Sequence, residues 1–254
     1  MPPLVTRADR GGAAVLTLDS PHNRNALSRQ LVEELLDLLQ GAAADPGARA
    51  VVITGAGKTF CAGADLTDPP VSAGRGSYAD VLRTLWDYPK PVVVAINGHV
   101  RAGGFGMVAA GDVVLSVESA TFAFTEVRIG VVPAIISVLC LRRMGPNAAS
   151  RYLLTGEQFA AAEALDAGLV TSVVADGALD GAVEEVAARF QQCEPTALRV
   201  TREMIRRIPE MDLDAGFVWA QEVSQRMFAS PEAAEGIAAF KEKRPPRWAV
   251  DPGA

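Results

Sequence analysis

The sequence has few of the residues that build metal centres and disulfide frameworks. Its three cysteines, Cys61, Cys140 and Cys193, are far apart and form no Cys-x-x-Cys pair. Neither a zinc site nor a disulfide scaffold is therefore expected. The two histidines, His22 and His99, offer no metal-ligand spacing either. We expect no protein-bound metal.

The chain also lacks an excess of positive charge and long apolar runs. Its 254 residues carry a net charge of −6, which gives no electrostatic reason to expect nucleic acid or an anionic membrane as a partner. The sequence does not open on a basic segment followed by an apolar run, and no stretch approaches the length of a membrane span. We therefore expect a cytoplasmic protein of one domain with a small helical addition.

The first half alternates short apolar runs with glycine-rich turns and helical patterns. These runs predict strands at 13–18, 50–54, 92–96 and 113–116. Because helical patterns separate them, the expected fold is α/β with a parallel sheet. After about Pro133 the pattern is mostly helical, with amphipathic stretches at 179–192, 195–207, 212–228 and 231–243. The predicted layout is a core over 1–195 followed by a helical segment over 196–254.

Two glycine-rich turns follow two of the predicted buried strands. The first extends from Thr54 to Leu66 and the second from Asn97 to Gly106. The carboxyl ends of strands in an open α/β sheet face one crevice, and small residues there leave backbone N–H groups accessible to a ligand. Neither turn matches the phosphate loop G-x-x-x-x-G-K-[ST] or the fingerprint G-x-G-x-x-G. The turns favour a site in which two N–H groups hold one oxygen.

The residues of these turns resemble a known family. The segment 60–66 (Phe-Cys-Ala-Gly-Ala-Asp-Leu) and the residues Asn97-Gly98 with Ala102-Gly103-Gly104 are similar to the two oxyanion-hole motifs of the enoyl-CoA hydratase/isomerase (crotonase) superfamily. The similarity continues over 20–28, 154–157, 160–170 and 236–244, and so spans nearly the whole chain. The resemblance implies a crotonase-like ββα-spiral core and an acyl-CoA thioester substrate. No separate cofactor is implied, because coenzyme A is part of the substrate.

The resemblance also assigns roles to particular positions. The backbone N–H groups of Ala64 and Gly103 would hold the thioester oxygen, and Glu126 would be the acid/base. Coenzyme A would contact Arg24, Ala26, Ala62, Ala64, Asp65 and Leu66, together with Phe240 and Lys243 from the C-terminal helix of a neighbouring subunit. The segment 196–254 would then support a homo-oligomer, a trimer or a dimer of trimers. A loop from Asp68 to Ser77 would line the acyl pocket.

One position departs from the family's usual hydratase pattern. Those hydratases place a first glutamate three residues beyond the second oxyanion-hole glycine, where this chain has Gly106. One carboxylate can move a proton between two carbons, whereas hydration normally divides its proton chemistry between two groups. However, the stretch 126–137 is similar to a branch that includes hydratases of branched glutaconyl-CoA type substrates, whose members can also carry glycine there. We predict a 2-enoyl-CoA hydratase, with a Δ3,Δ2-enoyl-CoA isomerase and a catalytically weak acyl-CoA-binding protein as alternatives.

Three other polar residues receive structural interpretations. Asp65 is predicted to cap a helix that follows it, since aspartate favours that position. Asp112 is predicted to tie down a neighbouring turn. His99 is predicted to pack or hydrogen-bond beneath the second glycine-rich turn.

Overall fold

The computed structural model describes residues 2–68 and 76–250. Its strands β1 to β10 are Val5–Arg10, Ala13–Leu18, Ala50–Gly55, Thr59–Cys61, Val92–Ile96, His99–Arg101, Val113–Val117, Thr121–Ala123, Phe159–Ala160 and Ser172–Val174. Its helices α1 to α10 are Arg29–Ala44, Tyr78–Trp86, Gly104–Ala110, Ala134–Arg143, Pro146–Thr155, Ala161–Asp166, Leu179–Gln191, Pro195–Arg207, Leu213–Phe228 and Pro231–Glu242. Within the two described ranges, no helix is long and apolar enough to cross a membrane.

Two sheets form the core. The larger has the strand order β1-β2-β3-β5-β7-β10, in which only β1 and β2 are antiparallel. The smaller has the order β4-β6-β8-β9, with β9 antiparallel to β8. Three times in succession, a strand of the large sheet is followed by a strand of the small sheet and then by a helix. This repeat is the ββα arrangement that the family resemblance implied.

The central strands are buried along nearly their whole length, and helices α1, α3 and α7 pack against the sheet. The predicted runs at 50–54, 92–96 and 113–116 are confirmed as β3, β5 and β7. All five residues of β5 are buried, as expected for a parallel strand inside an α/β fold. Parallel pairing of β3 with β5 and of β5 with β7 places the glycine-rich turns at one edge of the core.

The C-terminal helices attach to this core through charged side chains. Helix α8 begins at Pro195, so the expected boundary between 195 and 196 falls within its first turn. Two arginines of α8 reach Asp112, with Arg202 Nε at 2.6 Å and Arg206 Nη2 at 2.7 Å from its carboxylate oxygens. Asp112 also accepts the Val92 N–H at 2.7 Å. The prediction that Asp112 ties down a turn was incomplete, because it mainly fastens α8 to the sheet.

Candidate active site

The two glycine-rich turns meet in space, each just after a short strand of the smaller sheet. A Cβ atom placed on Gly63 would lie 2.7 Å from the Ala102 Cβ and 3.3 Å from the Gly103 nitrogen. A Cβ placed on Gly103 would lie 3.5 Å from the Ala64 nitrogen. Side chains at these glycines would push the turns apart. The approach therefore brings the two predicted N–H groups, those of Ala64 and Gly103, next to each other.

The backbone before each of these amides is left-handed. Gly63 has a φ of 93° and Ala102 a φ of 44°. For the non-glycine Ala102, such a conformation costs about 1–3 kcal/mol and is typical of functional sites. Neither Ala64 nor Gly103 donates its N–H to an acceptor within the described ranges. Two free N–H groups so placed can donate together to one anionic oxygen.

A cavity of about 460 Å³ opens onto both turns. Its lining includes the predicted residues Ala62, Ala64, Asp65, Leu66, Gly103 and Glu126. Much of the remaining wall is aliphatic and is formed by Leu27, Val32, Ile129, Val131, Val132, Ile135 and Ile136. The predicted acyl-lining loop falls mostly on residues 69–75, which lie outside the described ranges, but Asp68 and Ser77 on either side of them line the cavity. The site is thus an apolar cavity with a few polar groups at its turns.

Glu126 supplies a carboxylate to this cavity. It begins a short 3-10 helix, Glu126–Ile129, after β8. Its Oε2 atom is buried and has no hydrogen-bond partner in the part of the chain that the structure describes. Burial raises the pKa of the Glu126 carboxyl above its ordinary value. A half-buried carboxyl with one unpartnered oxygen on a cavity wall has the properties of a general acid/base.

Aromatic packing fixes the Glu126 segment relative to the second turn. Phe124, two residues before Glu126, stacks on Phe105 of α3 with ring centroids 3.7 Å apart. Phe122 and Phe159 continue this cluster beneath the site. Helix α3 begins directly after Gly103. The stack of Phe124 on Phe105 therefore fixes the segment that carries Glu126 relative to the Gly103 amide.

The position of the missing first glutamate is filled by α2. A Cβ placed on Gly106 would lie 2.8 Å from both Leu82 methyl carbons and 2.8 Å from the Tyr78 hydroxyl oxygen. That hydroxyl donates a hydrogen bond to the Gly103 carbonyl at 2.5 Å, and Tyr78 lines the cavity. Sequence reasoning missed Tyr78, because nothing in the local pattern of a helix start indicates contact with a turn 25 residues away.

Comparison with known proteins identifies the family. Residues 9–251 match the profile of the enoyl-CoA hydratase/isomerase family. The chain belongs to this family. A provisionally named enoyl-CoA hydratase of Thermus thermophilus is 38% identical over 96% of this chain and 100% of its own length. A carnitinyl-CoA dehydratase of Proteus mirabilis is 34% identical over 94% and 95% of the two chains.

A solved structure of an enoyl-CoA hydratase from Mycobacterium smegmatis supports the same conclusion. It superposes with a TM-score of 0.91 at 31% identity, covering 98% of this chain and 100% of that one. The predicted crotonase-type α/β fold and the prediction of a hydratase-family enzyme are therefore confirmed. Membership in the enoyl-CoA hydratase/isomerase family also supports an acyl-CoA substrate.

Four of the predicted coenzyme A contacts do not line the cavity. Arg24 is exposed, and its carbonyl accepts the Ala62 N–H at 3.1 Å. Ala26 is buried close by. Phe240 and Lys243 lie at the end of α10, where Phe240 is 85% exposed. A single chain does not bring these last two residues to its own site, so their assignment to a neighbour's site stays a prediction.

Three polar or thiol groups near the turns have structural roles. The prediction that Asp65 caps a helix is wrong, because residues 65–68 form a turn in which Asp65 accepts the Thr67 N–H at 2.9 Å. Bonds from Thr67 and Asn23 lower the pKa of Asp65. His99 Nδ1 lies 3.0 Å from the Thr121 hydroxyl, which confirms its predicted hydrogen bonding. Burial raises the pKa of the Cys61 thiol to about 12, so Cys61 is not an activated nucleophile.

Proposed function

We propose that this enzyme adds water to the conjugated double bond of 2-enoyl-CoA thioesters. The observation that carries the proposal is the pair of adjacent amides, Ala64 and Gly103, which have no acceptor among the described residues and lie on the same cavity as the half-buried Glu126 carboxylate. The two amides would donate to the thioester oxygen and stabilise the enolate. Removing one such donor typically costs about 3–4 kcal/mol of barrier. The carnitinyl-CoA dehydratase relative bears a name of the same reaction class.

The proton chemistry can be completed by one carboxylate. As the water oxygen bonds to C3, ionised Glu126 accepts a proton from that water, and the negative charge moves to the thioester oxygen between the two amides. Neutral Glu126 then returns the proton to C2 as the enolate collapses. One water molecule is added, and Glu126 ends ionised, as it began. The raised pKa of Glu126 suits a group that must both accept and return a proton.

The cavity favours an acyl chain with a large apolar surface, because much of its wall is aliphatic. Arg29 also lines the cavity, so a terminal carboxylate on the acyl group would have a cationic partner there. We therefore propose aliphatic 2-enoyl-CoA substrates, with or without a terminal carboxylate.

A double-bond isomerase is the second candidate. The observation that favours it is the filled space at Gly106, which leaves no room for a second carboxylate at that position. With Glu126 alone, a proton removed from C2 of a 3-enoyl-CoA could be returned at C4, through a dienolate whose oxygen the same two amides would hold. Both reactions use the same three groups, so only turnover can separate them.

The test compares crotonyl-CoA and a 3-enoyl-CoA as substrates of the wild type and of Glu126→Gln. We expect hydration of crotonyl-CoA by the wild type, and a loss of about 10²–10⁴-fold in the variant, because glutamine cannot accept the proton. Wild-type rates should also fall as the pH drops through the pKa of Glu126, which lies above the ordinary 4.5. Acyl-CoA affinity should change little, because the oxyanion donors are backbone groups.

The same variant has an internal control for folding. Since the pKa of Glu126 is higher in the folded than in the unfolded chain, its charge disfavours folding above that pKa. Glu126→Gln should therefore be at least as stable as the wild type at neutral pH. Unchanged turnover in the variant, or no turnover of either substrate by a wild type that binds acyl-CoA, would contradict the proposed function.

We further propose that the enzyme assembles as a homo-oligomer, a trimer or a dimer of trimers. Several large apolar side chains of α8–α10 are exposed on the single chain: Ile205, Leu213, Phe217, Val218, Phe228, Ile237 and Phe240. Exposed apolar side chains that join into one patch are typical of an interface, and these seven side chains are candidates for such a patch. In such an assembly Phe240 and Lys243 would complete the nucleotide pocket of a neighbour.

A further inference from the structure

The space next to Gly106 contains a hydroxyl group for which the proposed proton chemistry has no role. Tyr78 is the first residue of α2, which is held by Ser77 and Asp80 in a reciprocal capping box. This cap fixes where the tyrosine enters the cavity wall. Its hydroxyl oxygen lies 2.8 Å from the point where a Gly106 Cβ would stand. A polar atom therefore occupies the place from which a first glutamate side chain would extend.

The hydrogen bonding of this hydroxyl is only partly used. Its proton is donated to the Gly103 carbonyl at 2.5 Å. Burial is the main reason that the pKa of Tyr78 lies well above its ordinary value; Cys61, Cys140 and Glu126 raise it further, and the backbone N–H of Met107 beside the hydroxyl oxygen opposes the shift. The phenol therefore stays protonated. A phenol oxygen that donates its one proton has two lone pairs, so one remains for a water molecule when the other faces the Met107 N–H. Tyr78 can thus accept from a water molecule in the cavity while remaining bonded to Gly103.

Other polar groups of the cavity are less suited to this task. The Ser77 hydroxyl bonds to Asp80 within the capping box at 3.0 Å. The carboxylates of Asp65 and Asp68 accept backbone N–H groups. Thr125 directly precedes Glu126 in the chain and lines the same cavity, but its side chain is not among the three atoms nearest to a Cβ at Gly106.

We propose that Tyr78 is a catalytic residue that holds the attacking water by accepting a hydrogen bond from it, in place of the absent first glutamate. The proposal rests on the hydratase function proposed above. One hydrogen of the water points to Tyr78 and the other to Glu126, which accepts that proton as the oxygen bonds to C3. Glu126 then returns the proton to C2, and the protonation state of Tyr78 does not change. Orientation is the whole contribution, and loss of orientation can lower a rate by about 10²-fold.

The experiment uses Tyr78→Phe, which removes the hydroxyl and keeps the ring. Two rates are measured in each preparation: hydration of crotonyl-CoA, and exchange of the C2 hydrogens of butyryl-CoA with deuterated solvent. Exchange requires the oxyanion donors and Glu126 but no added water. We expect hydration to fall on the order of 10²-fold, with exchange within about threefold of the wild type. The ratio of the two rates does not depend on the fraction of protein that is folded.

Tyr88→Phe is the matched control. The Tyr88 hydroxyl also donates to a backbone carbonyl, that of Leu39 at 2.7 Å, but it lies outside the cavity. Its removal should leave the ratio of hydration to exchange unchanged. Thr125→Val tests the nearest rival hydroxyl and should also leave the ratio unchanged.

The other possible outcomes would contradict either the role of Tyr78 or the hydratase function. If Tyr78→Phe lowers hydration and exchange together, the tyrosine only positions the Gly103 peptide, and its proposed role is wrong while the hydratase function stands. If neither rate changes, or if Thr125→Val alone lowers the ratio, Tyr78 does not hold the water. A wild type that exchanges the C2 hydrogen but hydrates no 2-enoyl-CoA contradicts both proposals.

Discussion

The core and the C-terminal helices differ in how far their phenylalanine side chains are exposed. In the core, four phenylalanines are completely buried: Phe60, Phe105, Phe122 and Phe124. In α9 and α10, three are 68%, 73% and 85% exposed: Phe217, Phe228 and Phe240. The core therefore buries these phenylalanines within one chain, whereas the C-terminal helices leave three of theirs uncovered.

The contacts that hold the C-terminal helices to the core also differ from the contacts within the core. Core elements join through apolar packing, as in the stack of Phe105 on Phe124. Helix α8 is fastened by the ion pairs of Arg202 and Arg206 with Asp112, and by hydrogen bonds from the same arginines to backbone carbonyls of the core. Buried ion pairs contribute little net stability compared with apolar packing, but they fix geometry, and losing one partner is costly. The C-terminal region is thus held in a defined place while its apolar face remains available.

The largest expected effect follows from breaking this attachment. Asp112→Asn keeps the size of the side chain but removes the charge that faces Arg202, which is only 6% exposed. A buried charge left without its partner typically costs about 3–5 kcal/mol. We expect that loss in the free energy of unfolding, measured by urea denaturation, with α8 losing amide protection before the core.

An exposed ion pair between the same two regions is the control. Glu210 lies 3.2 Å from Arg142 of α4, and both side chains are about half exposed. Glu210→Gln should therefore change stability by less than about 1 kcal/mol. Equal losses in the two variants would show that the Asp112 cluster is as solvated as the surface pair.

The second prediction concerns the exposed aromatic face. In a single chain, Phe240→Ser should change stability by less than about 0.5 kcal/mol, because Phe240 packs on little. If a neighbouring copy covers Phe240, the substitution should lower the mass of the assembly and weaken coenzyme A binding by about 10-fold or more, a central contact being worth 1–2 kcal/mol. Light scattering and calorimetric titration measure the two effects.

A change on the same helix serves as the reference. Glu232→Gln alters the exposed first turn of α10 and should affect neither property. A Phe240→Ser protein that assembles and binds coenzyme A like the wild type contradicts the proposed role of Phe240.

The sequence predicted features that depend on local pattern. The runs that became β3, β5 and β7 are β-branched and buried on both faces, and α8 was predicted over 195–207, the range observed. Strand β1 was missed because its residues are mostly exposed and charged, so it shows no apolar run. The smaller sheet was missed because its strands have only two or three residues each.

Some residues of the candidate site and its surroundings were predicted from local motifs, and others were not. Ala64, Gly103 and Glu126 were assigned from motifs with a family resemblance, and the structure places all three on one cavity. Tyr78 and Arg202 were not recognised, because their partners Gly103 and Asp112 are 25 and 90 residues away. Contacts of that kind depend on how elements pack, and a single sequence has no local signal for them.

The last comparison is between two glycine-to-alanine substitutions, one in each region. We expect them to change the free energy of unfolding in opposite directions. Gly216 lies inside α9, and a Cβ placed on it would have no atom within 4 Å. Gly216→Ala should raise the free energy of unfolding by about 0.5–1 kcal/mol, because alanine loses less conformational freedom in a helix. Gly106 also lies inside a helix, α3, but its Cβ would lie 2.8 Å from three side-chain atoms. Leu82, which supplies two of them, is 4% exposed and cannot retreat into solvent.

At Gly106 we therefore expect overpacking to outweigh the gain in helix propensity. Overpacking typically costs about 1–3 kcal/mol, so Gly106→Ala should lower the free energy of unfolding by about 1 kcal/mol or more. Adding Leu82→Ala makes room for the new methyl group, and the double variant should lose less stability than the sum of the two single losses. Strictly additive losses would mean that Leu82 does not fill the space beside Gly106. A destabilising Gly216→Ala would mean that another chain already packs closely against α9, so that face would no longer be an open surface.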